Sequence, residues 1–106
     1  MTGTETAKAR AAIAFGIDKL RELALGDTAD HQDQADVLKA LYDDTDRDNS
    51  VLVQLSDLLS DLGVTLSDQG AEDAADDLGE AAAYIGDNAG LRLHRAHASL
   101  TSSQEG

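Results

Sequence analysis

The groups best equipped for chemistry in this chain are its carboxylates and imidazoles, and their spacing decides what they can do. Asp44, Asp46 and Asp48 alternate through the run Asp44-Thr45-Asp46-Arg47-Asp48-Asn49-Ser50-Val51. Alternating carboxylates suit a hard cation such as Ca2+, which takes about six to eight oxygen ligands. His94 and His97 stand at i and i+3, so a helix presents both on one side, where two imidazoles can share a metal. No Glu precedes them at the spacing of a di-iron site, and His31 lies in another segment. Positive charge at the C-terminal end of a helix explains the pair better. Nucleophilic catalysis lacks its parts: there is no Cys, no Gly-x-Ser-x-Gly elbow and no convincing Ser, His and Asp grouping. Lys8, Lys19 and Lys39 all fall inside helical segments, so no glycine-rich loop leads into a phosphate-binding lysine. Neither an enzyme nor a metal or cofactor site is expected.

The acidic run resembles the first half of an EF-hand or dockerin calcium loop, with acids at loop positions one, three and five and an apolar residue, Val51, at eight. That resemblance implies Ca2+ binding, but the pattern departs from the family where ligation matters most. Position six is Asn49 in place of Gly, position nine is Leu52, and position twelve is Leu55, so the bidentate carboxylate is missing. A solvated loop that caps a helix fits these residues better.

The elements that position these groups read as helices throughout. There is no Pro to break a helix and no strand-like alternation rich in Val, Ile and Thr. A first segment spans about residues 6–25, with Ile13, Ile17, Leu20 and Ala24 on one face, and stops at Gly26-Asp27. Thr28 offers an N-cap to a second segment carrying Ala35, Leu38, Leu41 and Tyr42. Asn49 or Ser50 caps a third, whose apolar face is Val51, Leu52, Leu55, Leu58, Leu59 and Leu62. Gly63 is expected to end it, and Ser67 or Asp68 to open the fourth.

The fourth segment has the clearest pattern. Ala71, Ala75, Leu78, Ala82, Ile85, Ala89, Leu93, Ala96 and Leu100 succeed one another at steps of four and three. At 100° per residue they fill an arc of about 80°, the width of a helix-packing seam. Gly79, Gly86 and Gly90 lie along one edge of the seam, where small residues let a neighbouring backbone approach. Asp73, Asp76, Asp77 and Glu80 take the opposite face, and Arg92, His94, Arg95 and His97 crowd the end, as the helix dipole prefers. The turn-like run Gly86-Asp87-Asn88-Ala89-Gly90 sits inside this segment, yet the seam passes through it without a phase slip. One helix is therefore expected, roughly 50 Å long at 1.5 Å per residue. The reading is an all-α fold: a small bundle of about four helices, one domain over residues 1–100 with a long C-terminal helix and a disordered tail over 101–106.

Charge bounds the function. Twenty-one acids against eight bases give −13, which repels nucleic acid and anionic lipid and attracts basic partners. Acidity also keeps a small domain soluble or adapts it to salt. No apolar run approaches the ~18 residues of a membrane span, and no signal-peptide pattern appears, so a cytoplasmic location is the default. Two functions remain. One is a non-enzymatic structural or adaptor module that self-associates, or docks on a larger protein, through helix–helix contacts. The other is an acidic decoy that occupies a basic, nucleic-acid-binding groove of a partner. The expected contact residues lie on the last helix: Leu93, Ala96 and Leu100 overhang the shorter helices, and Tyr84 and Leu91 form a second stripe on the acidic face. The charge gradient also points to an antiparallel homodimer, with Asp73, Asp76 and Asp77 approaching Arg92 and Arg95 of a second chain.

Overall fold

A computed structural model describes the backbone of residues 2–105 and the side chains of residues 3–102. The helices are α1 (Thr2–Leu25), α2 (His31–Leu41), α3 (Val51–Asp68), α4 (Glu72–Ala83) and α5 (Gly90–Glu105). A 3-10 turn (Arg47–Asn49) precedes α3, and a π turn (Tyr84–Ala89) joins α4 to α5 into one long C-terminal run. No strand occurs among the described residues, so the fold class is a small all-α bundle with a long last helix, as the periodicity predicts. Residues 1–37 and 38–106 form two compact units.

In the first unit, α1 starts a turn earlier than expected and ends at Leu25, where the Gly26 N–H closes onto the Glu22 carbonyl at 3.0 Å. The start of α2 is set by Asp30 and not, as expected, by Thr28. Asp30 Oδ1 accepts the Asp33 N–H at 2.9 Å, and Asp33 Oδ2 accepts the Asp30 N–H at 3.2 Å. This reciprocal pair satisfies two orphan donors at the helix N-terminus and places both carboxylates where the dipole favours them.

The second unit is organised by the α3–α4 hairpin. Here Gly63 does not end a helix. It is buried inside α3, and a Cβ built there would lie 3.5 Å from the Ala75 carbonyl oxygen and 3.7 Å from Leu78 Cβ. Small size at Gly63, Ala75 and Ala82 brings the two helices together. The stop comes at Gly70, whose φ of 87° is the left-handed conformation that Gly adopts without penalty. Ala71 N–H reaches the Leu66 carbonyl at 2.8 Å and Gly70 N–H the Ser67 carbonyl at 3.0 Å, the paired bonds of a Schellman ending. Ser67 and Asp68 therefore close α3, and Glu72 opens α4 with its carboxylate accepting the Ser67 hydroxyl at 3.0 Å.

The long run is continuous, but its seam does slip, and the slip falls within the turn-like glycine segment. Ser56 of α3 donates its hydroxyl to the Ala82 carbonyl at 2.9 Å. Gly86 sits beside that hydroxyl, its Cβ position 3.2 Å from Ser56 Oγ. An outside donor on a helix carbonyl loosens the regular ladder. Gly90 N–H then reaches back five residues to Ile85. The extra residue rotates the remainder of the run, so Gly90 is buried where Ala89 was expected, and His97 is half-buried while Ala96 is exposed. Of the three glycines expected to admit a neighbour, Gly79 faces open space and Gly90 is the tightest, with its Cβ position 2.6 Å from Tyr42 Cε1. Past residue 100, the expected tail continues α5 to Glu105, with the Thr101 hydroxyl on the His97 carbonyl at 3.0 Å.

Gly90→Ala and Gly79→Ala should move stability in opposite directions. The first forces the buried Tyr42 ring aside and costs about 1–3 kcal/mol, a fall of about 4–8 °C in Tm per kcal/mol. The second adds helix propensity at an open position and stabilises by up to about 1 kcal/mol. Thermal melts monitored by circular dichroism check both.

Candidate contact surface

The acidic run folds as a loop hydrogen-bonded to itself, and neither Asn49 nor Ser50 supplies the expected side-chain cap of α3. Asp43 Oδ1 accepts the Thr45 hydroxyl at 2.7 Å and the Thr45 N–H at 2.9 Å, an Asx turn. Asp46 uses both carboxylate oxygens on the Asn49 amide, at 3.1 Å each. Ser50, fully buried, occupies the N-cap position of α3 but turns its hydroxyl into the loop. Its oxygen accepts the Asp43 N–H at 2.8 Å, and its proton faces the Asp43 and Asp46 carbonyls at 3.2 and 3.1 Å. Asp43, Thr45, Asp46, Asn49 and Ser50 are thus tied to one another and to the backbone, while Asp44 and Asp48 are exposed. Among the described residues, no three His, Asp or Glu side chains gather as a metal site requires.

Behind the loop, Tyr42 links the end of α2 to α5. Its ring is buried against Gly90, and its hydroxyl accepts the Arg47 guanidinium at 3.1 Å. A cleft beside it is lined by Lys39, Tyr42, Asp43, Thr45, His94 and His97. Here the two histidines meet the acidic loop, which their spacing alone does not reveal. A neighbouring cleft adds Arg47, Asp87 and Leu91. The Thr45 hydroxyl, then the Thr45 N–H, hold the Asp43 carboxyl below its ordinary range; partial burial opposes them, and the charges of Lys39 and His97 assist.

The five expected contact residues are spread over this long run. Tyr84 is 68% exposed beside Glu80, Asp87 and Asn88, whereas Leu91 opens onto the cleft of Tyr42 and His94. They share Asp87 as a neighbour but line different clefts. Leu93 and Leu100 are half-buried, and Ala96 is exposed. A larger apolar surface lies on α3. Leu52 and Leu59 turn inward, while Val51, Leu55, Leu58 and Leu62 are all exposed, Leu58 at 60%. Their steps of four, three and four fix them on one stripe, about 120° around the helix from the face that meets α4. The signal for it was the width of the α3 apolar arc, too broad for one neighbour to cover.

The lowered Asp43 carboxyl predicts an acid-dependent difference. Its contribution is complete above the ordinary value of 3.8 and is lost as pH falls through the lower folded value. The stability advantage of the wild type over Asp43→Asn should therefore shrink once the pH drops below 3.8. Parallel stability curves from neutral to strongly acidic pH would contradict it. No family model matches the chain, and neither a curated protein nor a solved structure matches it.

Proposed function

We propose that this protein is a small, acidic, non-enzymatic interaction module of the cytoplasm, working through helix–helix contacts by self-association or by docking on a larger protein. The observation that carries the reading is the exposed stripe Val51, Leu55, Leu58 and Leu62, four large aliphatic side chains on one face of a helix already packed on another side. Aligned apolar exposure of this kind marks an interaction site, unlike scattered single residues. Tyr84 and Leu91, with Leu93, Ala96 and Leu100, supply a second contact region on the long run. Among the described residues no helix is long and apolar enough to cross a membrane, so a bilayer-spanning helix does not account for the exposed stripe.

A second reading, an acidic decoy for a basic groove, is favoured by a different observation. Asp57, Asp61, Asp73, Asp76, Asp77 and Glu80 are all exposed, and the ion pairs among the described residues, Lys8–Glu5 and Lys19–Glu22, both lie in α1. Salt separates the two readings. Apolar association persists when charges are screened, whereas carboxylate recognition collapses as the screening length shortens from about 10 Å at 0.1 M to about 3 Å at 1 M.

Sedimentation equilibrium at tens of micromolar, in about 0.1 M and about 1 M NaCl, is the test. The self-associating form of the module should exceed the 11.1 kDa of one chain at both salts, whereas a module that docks on a larger protein stays at that mass and does not bind polylysine at high salt. A monomer at both, coupled with polylysine binding that vanishes at high salt, would favour the decoy.

A further inference from the structure

Two helices of this chain carry stripes of matching spacing; that on α3 is open along its length, and that on α1 is open at Ile13 and Ile17 but half-buried at Leu20 and Ala24. On α1, Ile13, Ile17, Leu20 and Ala24 are set at steps of four, three and four; on α3, Val51, Leu55, Leu58 and Leu62 repeat the same steps. That is the spacing of a two-stranded coiled-coil seam, and both stripes rise about 16 Å at 1.5 Å per residue. In the single chain Ile13 and Ile17 are 65% and 50% exposed, and all four α3 residues are exposed.

Charge matches the two helices as well. α1 holds Lys8, Arg10, Lys19 and Arg21 against Glu5, Asp18 and Glu22, and so is net positive in a chain of −13. Lys8 and Lys19 pair with Glu5 and Glu22 within the helix. Arg10 and Arg21, which border the α1 stripe, join no ion pair among the described residues. By contrast α3 has no base, and Asp61 borders its stripe on the edge turned away from α4, with Asp57 further round the same side. An α1 helix laid on an α3 stripe covers both seams and brings opposite charges to the rim, whereas two α3 stripes face to face would bring carboxylates together.

Resting on the self-associating form of the proposed function, we propose that the α3 stripe is the docking site for α1 of a second copy of this chain. Each chain offers one α1 stripe and one α3 stripe, so a reciprocal exchange between two chains would cover both. The apolar seams supply the affinity, and the charge match selects α1 over another α3.

The chain has no cysteine, so thiol crosslinking reads the pairing directly. Ile17→Cys and Leu58→Cys chains, the second carrying a size tag, are mixed at tens of micromolar and treated with a short bis-maleimide. Val64→Cys, exposed on α3 but outside the stripe, replaces Leu58→Cys in the control. Expected is a covalent species at the summed mass of the two chains with Leu58→Cys, at least tenfold more abundant than with Val64→Cys. Three outcomes overturn the proposal. If the Ile17→Cys/Leu58→Cys double variant crosslinks only within one chain, at monomer mass, the occupant is the chain's own α1. If sedimentation shows a dimer without the 17–58 product, the pairing fails while self-association stands. A monomer at every concentration removes both.

Discussion

The approach of α3 to α4 is the constraint on which the rest of the second unit depends. Gly63 lets the two helices close until its Cα side meets the Ala75 carbonyl and Leu78, and Gly70 turns the chain so that they can meet. Ser56 can then reach the Ala82 carbonyl, and the π turn forms at that bond. The residue gained in that turn brings Gly90 against the Tyr42 ring, which fastens α5 to the end of α2 and the acidic loop behind it. Each step is short-range, and each places the next.

Building a hairpin from small residues has a consequence for function. The buried apolar side chains are Ala35, Tyr42, Val53 and Ala82, so most of the large aliphatic residues are left partly or wholly outside. Close backbone contact gives dispersion energy and rigidity but covers little apolar area. The leucines excluded in this way are ordered along helix faces and not scattered. On the proposed reading, a stripe held on a helix already packed against α4 loses little conformational entropy on contact. The same holds less well for α1. Most of its described side chains are exposed, and Gly16 lies mid-helix, so contact with a partner adds more to its stability than to that of α3.

Much of the fold is legible in the residues. The absence of Pro, the steps of four and three from Ala71 onward, and the stop at Gly26 lead to helices that the structure contains. The illegible part traces to residues with two uses. Gly63 and Gly70 are both plausible helix ends, and only the presence of α4 shows that one is a contact and the other a turn. The π turn depends on a hydroxyl from another helix, so no periodicity within residues 71–100 reveals it. The α3 apolar arc is wide enough that its own pattern does not say which side meets α4. For the contact residues the same limit applies: Tyr84 and Leu91 are visible as outliers on an acidic face, whereas the α3 stripe is distinguishable from core only once Leu52 and Leu59 are seen to turn inward.

Amide hydrogen exchange as a function of protein concentration tests most directly whether this molecule works by covering its open helix faces. The account predicts that in dilute protein the amides of α3 and α4 are the slowest to exchange while those of α1 are fast. Raising the concentration should then slow exchange across residues 9–24 and leave the α3–α4 amides comparatively unchanged. Exchange in α1 that is as slow as in α3 and α4 at the lowest concentration, and independent of concentration, would contradict it.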